Sequence, residues 1–123
     1  MTRTLIGIDI GTQGTKGVLF TASGKRLAAA FEPSRLHRPD AVTVQEDPER
    51  QVASVCRVIQ ACVRQARVGT GSVAAVAMAG QMAGLIGVGR NGRNVTPYDS
   101  WLDVRCTPYI ERMTRKAGGA VLA

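Results

Sequence analysis

Aromatic residues are scarce in this chain: one Trp, two Tyr and two Phe, 4% of 123 residues. Proteins that read nucleic acid interleave clustered basic residues with stacking aromatics. Here 13 Arg and three Lys are scattered, so the net charge of +7 does not mark a nucleic-acid surface. Histidine occurs once, as His37 in a proline-flanked loop, and reads as a surface residue. Three Cys without Cys-x-x-Cys spacing argue against both a disulfide framework and a zinc site. Reduced thiols fit a cytoplasmic protein. No apolar run is long enough to span a membrane, and Met1–Leu5 leads directly into a strand pattern without a signal-peptide core. The expectation is a cytoplasmic chain with no nucleic-acid or membrane partner. What is plentiful is glycine, 14 residues, which suits tight turns and close backbone approach to a ligand. With 45% hydrophobic and 20% charged residues, the chain can bury one core.

Leu5 to Ile10 is apolar and β-branched apart from Gly7 and Asp9, and reads as a buried strand. A polar turn, Gly11 to Lys16, leads to a second strand at Gly17 to Phe20. Thr21–Gly24 is a hairpin turn before a third strand at Arg26 to Phe31, giving an antiparallel meander. Glu32 to Glu46, with Pro33 and Pro39, reads as loop. Asp47 then caps a helix, with Pro48 at its first position and Glu49 in its first turn. Val52, Val55, Cys56, Ile59, Cys62, Val63 and Ala66 predict its apolar face, with Cys56 and Cys62 as core thiols. Arg50, Arg57 and Arg64 fall on the solvated face. Strands are expected at Ser72 to Ala79 and Leu85 to Val88, the latter followed by an Asn91-Gly92 turn. A short helix, with Thr107 as cap and Pro108 at its first position, should end at Gly118. The apolar stretch Ala120–Ala123 reads as continuing into a longer domain.

The chemistry concentrates in Asp9-Ile10-Gly11-Thr12-Gln13-Gly14-Thr15-Lys16. Backbone N–H groups in such a turn can cradle phosphate oxygens. Gly11 and Gly14 let the backbone come close, Thr12 and Thr15 offer hydroxyls, and Lys16 offers a positive charge. Asp9 can hold the Mg²⁺ that accompanies ATP, because a carboxylate within an apolar strand is costly unless paired or bound to a cation. The glycine spacing differs from that of the P-loop. A second cluster joins Gly80-Gln81-Met82-Ala83-Gly84 to Trp101, Asp103 and Arg105. Its polar groups could meet hydroxyls and its indole a sugar ring, although a lone Trp is more often a core or hinge residue.

The run Gly7-Ile8-Asp9-Ile10-Gly11-Thr12 with Lys16 resembles the first phosphate motif of the actin-like ATPase superfamily, and within it the start of the FGGY carbohydrate kinases. Ala79–Gly84 resembles the Gly-Gln-Met-His-Gly loop of xylulose kinases. Trp101-Leu102-Asp103-Val104-Arg105-Cys106 resembles their Trp-Asn-Asp-x-Arg-Cys stretch, and Glu46-Asp47-Pro48-Glu49 their helix entry. The resemblance implies an α/β fold of ribonuclease H-like type, here the incomplete N-terminal portion of a first domain. It implies ATP-dependent phosphorylation of a ketose or polyol, with ATP and Mg²⁺ required. It assigns Gly11, Thr12, Gln13, Thr15 and Lys16 to the phosphates, Asp9 to the metal, and Gln81, Met82, Trp101, Asp103 and Arg105 to the sugar. The catalytic base and adenine site are expected beyond residue 123, and the full-length enzyme could be a homodimer. One departure stands out: Ala83 replaces the family's His or Glu and cannot hydrogen-bond a sugar hydroxyl, so a substrate other than xylulose is open. Two functional classes follow, a segment of a working sugar kinase or a non-catalytic binding module derived from one.

Overall fold

The computed structural model describes residues 3–118. The expectation for Ala120–Ala123 lies outside them. Strands β1 (Thr4–Gly11), β2 (Gly14–Thr21) and β3 (Arg26–Pro33) form the expected antiparallel meander. Helix α1 (Pro48–Ala66) crosses over to β5 (Val73–Gly80), which pairs parallel with β1. The sheet order is β3-β2-β1-β5, so β1 is flanked on both sides. A two-stranded sheet joins β4 (Gln45–Glu46) to β6 (Tyr98–Asp99), and α2 (Thr107–Ala117) closes the described chain.

Helix α1 begins where its punctuation indicates. The Asp47 carboxylate accepts from the Glu49 and Arg50 N–H groups at 2.9 and 3.5 Å, satisfying two donors of the first turn. It ends at Arg67, whose left-handed φ of 52° lets its N–H reach the Arg64 and Val63 carbonyls. Its buried line is Ser54, Val58 and Cys62, and Val55, Ile59 and Ala66 of the expected stripe pack against the same core. Val52 and Cys56 are exposed, which corrects the placement of Cys56 in the core. The reason lies in the facing sheet, where small residues let the helix come close. A Cβ on Gly17 would overlap Val58, and the Ser54 hydroxyl meets Thr15 at 2.6 Å. Among the arginines, Arg57 is not simply solvated but forms a two-pronged pair with Glu32 of β3.

The core of Ile6, Ile8, Leu19, Ala28, Val58 and Cys62 fills the space between α1 and one face of the sheet. On β1 the other face carries Leu5 and Asp9, both exposed. The buried strand of the sequence reading is therefore buried on one side only, and Asp9 is not a desolvated carboxylate. Helix α2 has no buried residue, and Tyr109, Ile110 and Met113 are exposed on it. Its cap is Cys106 rather than Thr107, and Gly118 ends it as expected. Leu85 to Val88 is not a strand: Leu85 and Val88 make only single bridges, to Asp99 and Asn94. Glycines 84, 87 and 89 interrupt the segment, and the Thr96 side chain takes the Gly87 N–H. No helix among the described residues is long and apolar enough to cross a membrane.

Candidate functional site

The hairpin between β1 and β2 is tighter than its sequence suggests. Pairing runs to Gly11 opposite Gly14, which leaves Thr12 and Gln13 as the turn. Gly14 is required by packing, since a Cβ there would overlap the Glu32 carbonyl and the Phe31 ring. Asp9 and Lys16 are directly opposed across the two strands and both exposed, so they share the open face of the sheet beside the turn. Thr15 points the other way. It is buried against α1, and its hydroxyl donates to Ser54 Oγ, which itself donates to the Gln51 carbonyl. Gln13 is exposed at the tip, where its carbonyl accepts from the Ser34 N–H at 3.0 Å.

The second cluster meets the turn. Gln81 extends the β1–β5 ladder, its N–H donating to the Ile10 carbonyl at 2.8 Å. This brings its side chain to Thr12, whose hydroxyl donates to Gln81 Oε1 at 3.0 Å. Trp101 reaches the same hydroxyl from 89 residues away, its indole N–H donating to Thr12 Oγ1 at 2.8 Å. Trp101 nevertheless stays 53% exposed. Gln81 Nε2 in turn donates to Glu46 Oε1 at 2.9 Å. Glu46 is only 4% exposed; the sequence placed it at the end of a loop and at the helix entry, and spacing carries no signal for its contact with Gln81.

Asp103 and Arg105 brace this arrangement. Asp103 accepts the Val44 N–H at 2.9 Å and the Arg105 Nε at 2.9 Å. Arg105 also reaches Asp99, which accepts from Gln45 Nε2 as well. The hydrogen bond from Arg105, with those of the Val44 and Arg105 N–H groups, holds the Asp103 carboxyl at about 2. Its neighbours push the Arg105 guanidinium pKa up. Asp103 thereby ties the Trp101 segment to Val44, just before β4, and Arg105 ties it to Asp99 of β6. Met82 is 85% exposed, and Ala83 holds a left-handed φ of 61°, a conformation that costs a non-glycine residue about 1–2 kcal/mol. Burial, with the Glu46 charge, raises the Tyr98 phenol; its hydroxyl is the buried side-chain atom without a partner among the described residues.

No group of three or more His, Cys, Asp or Glu gathers among the described residues. A single exposed carboxylate beside a two-residue turn does not suit a protein-caged transition metal. It suits Mg²⁺, which keeps several waters and takes one or two carboxylates together with phosphate oxygens. A neighbouring cleft of about 390 Å³ lies between the end of β3 and the start of α1, lined by Thr15, Glu32, Arg35, Glu46, Arg50 and Arg57 among others. Asp9, Gln81 and Trp101 do not line it.

The model of the FGGY family of carbohydrate kinases, N-terminal domain, matches residues 4–122. The chain belongs to this family. A xylulose kinase of Streptomyces rubiginosus is 30% identical over 117 residues, 94% of this chain and 23% of that protein. A gluconokinase of Bacillus subtilis is 26% identical over 119 residues, 97% of this chain and 23% of that protein. Among solved structures, a gluconate kinase from Lactobacillus acidophilus superposes with a TM-score of 0.84 at 29% identity, over 96% of this chain and 23% of that one. A ligand-bound xylulose kinase from the same species gives 0.82 at 29% identity, over 94% and 23%. The FGGY kinase fold is thus shared, and the chain spans about 23% of the length of these relatives.

Proposed function

We propose that this chain supplies the phosphate turn and part of the sugar pocket of an ATP-dependent carbohydrate kinase acting in the cytoplasm. The observation that carries the reading is the Thr12 hydroxyl, which bonds Gln81 and Trp101 at once. Two motifs 69 and 89 residues away from it meet at one atom. Phosphoryl transfer needs donor phosphate and acceptor hydroxyl held in line and close, and this juxtaposition supports such a placement. Backbone N–H groups of the turn and Lys16 would meet the phosphates, and Asp9 would hold Mg²⁺, directly or through water. Mg²⁺, when bound, neutralises charge on the phosphate oxygens. Gln81 and Trp101 offer the acceptor an amide and a flat apolar face.

In the reaction the sugar oxygen forms a bond to the γ-phosphorus, the bond to the bridging β–γ oxygen breaks, and the hydroxyl proton passes to a base. Asp99 and Asp103 are held by Arg105, and Glu46 by Gln81. We assign the base to a part of the longer kinase outside this chain, together with the adenine site. Xylulose, gluconate and glycerol define the substrate panel, and Ala83 removes one side-chain hydrogen bond that a ketose hydroxyl could use. Asp9→Ala in the kinase that carries this segment is expected to lower kcat/KM for Mg²⁺–ATP by about 100-fold or more, a loss of about 3 kcal/mol of transition-state stabilisation. Turnover close to parental would remove Asp9 from the account.

A further inference from the structure

The hydrogen bonds around Thr12 have a single consistent direction. The indole N–H is a donor only, and it occupies the acceptor side of the Thr12 oxygen. Thr12 has one proton, and it goes to Gln81 Oε1. The Gln81 amide must then present oxygen to Thr12 and nitrogen to Glu46. A carboxylate accepts and does not donate, so a reversed amide would set oxygen against oxygen at Glu46. Glu46 is buried, and none of the ion pairs among the described residues involves it. Its placement comes from β4, pinned by the Val44 N–H on Asp103 and by pairing with β6.

We propose that Glu46 is a positioning residue that, acting through Gln81 and Thr12, holds the Trp101 indole against the phosphate turn and sets both halves of the site as one unit. The consequence for catalysis rests on the kinase reading above, whereas the geometry stands without it. A corollary is that the Thr12 side chain has no proton left for a phosphate oxygen. Thr12 then acts by aligning Gln81 and Trp101, and the turn meets phosphate through its backbone N–H groups and Lys16.

The chain has one Trp, so a ¹H–¹⁵N spectrum contains one indole resonance that reports on Trp101 alone. The test compares the full 123-residue chain with Thr12→Val, Glu46→Leu, Glu46→Gln and the double variant Thr12→Val/Glu46→Leu, without substrate. Far-UV circular dichroism checks the fold of each. Thr12→Val is expected to shift the indole resonance and speed exchange of its proton roughly fivefold, the worth of one modest hydrogen bond. Glu46→Leu should do the same although Glu46 does not touch the indole. Glu46→Gln keeps an acceptor oxygen and should stay close to the parent, and the double variant should match Thr12→Val alone. An indole resonance unmoved by Glu46→Leu, a Glu46→Gln variant as perturbed as Glu46→Leu, or additive effects in the double variant would each overturn the proposal. Should Glu46→Leu lose secondary structure, Gln81→Leu cuts the same line, and an unmoved indole there overturns it equally. Because no substrate is present, the outcome does not depend on whether the kinase reading holds.

Discussion

Gly17 is a point of close approach between helix α1 and the sheet, and a single methyl there tests the packing that positions the site. A Cβ at Gly17 would overlap Val58 Cγ1 and lie 3.1 Å from Ile8 Cδ1 and 3.5 Å from Cys62 Sγ. Val58 and Cys62 are 2% and 0% exposed, so neither can swing into solvent. Overpacking of this kind costs about 1–3 kcal/mol. Against it stands the gain of replacing glycine within a strand, about 0.5–1 kcal/mol. The steric effect is larger, and Gly17→Ala should destabilise by about 0.5–2 kcal/mol. Val58→Ala removes two methyl groups and should cost about 2–3 kcal/mol on its own. In that background the added methyl enters vacated space, so Gly17→Ala should change sign and stabilise by about 0.5–1 kcal/mol. Urea unfolding of the four proteins, read as midpoint at constant slope, gives each difference. A Gly17→Ala variant as stable as the parent, or one that costs the same with and without Val58, would refute the close approach of α1 to β2.

Two further outcomes follow from the environments of single groups. Asp103 is held at about 2 in the folded chain, first by the Arg105 side chain, against about 3.9 when unfolded. Because the folded value is depressed, its contribution to stability is present above about pH 4 and is lost as pH falls toward 2; the difference in thermal midpoint between parent and Asp103→Asn should therefore shrink across that window, and a constant difference would count against the clamp. Cys56 and Cys106 are exposed whereas Cys62 is buried, with its thiol pKa raised by desolvation; an aromatic disulfide reagent should titrate two thiols quickly and the third only on unfolding, and three fast thiols would contradict the packing of α1.

The meander and α1 were legible because their signals are local: apolar β-branched runs broken by turns, and an Asp-Pro-Glu helix start whose capping bonds form as expected. What periodicity could not show was which face of each element the sheet would choose. Leu5, Gly7 and Asp9 sit in an almost continuous apolar run, so one-sided burial looked like two-sided burial. On α1 the buried line follows Ser54 and Val58 because Gly17 and Thr15 oppose them, a property of another strand. The two motif clusters were each visible as residue types suited to phosphate and sugar. Their meeting at Thr12 was not, since it depends on parallel pairing of β1 with β5 and on the clamp that seats Trp101. Thr15 shows the converse, a hydroxyl of the phosphate motif whose partner is a helix serine. Glu46 was visible only as part of the helix entry, because its contact with Gln81 joins residues 35 apart in the chain.

The central claim is that phosphate and sugar meet at one place, between the turn after β1 and the Gln81–Trp101 pair. Chemical-shift mapping of the ¹⁵N-labelled chain tests it most directly, with Mg²⁺–ATP and then xylulose, gluconate or glycerol added in turn. The account predicts that Mg²⁺–ATP perturbs the amides from Asp9 to Lys16. It also predicts that one of the sugars perturbs Gln81, Met82 and the Trp101 indole, with Thr12 responding to both. Nucleotide shifts confined to the cleft at the start of α1, or sugar shifts that leave Gln81 and Trp101 untouched for every member of the panel, would contradict it.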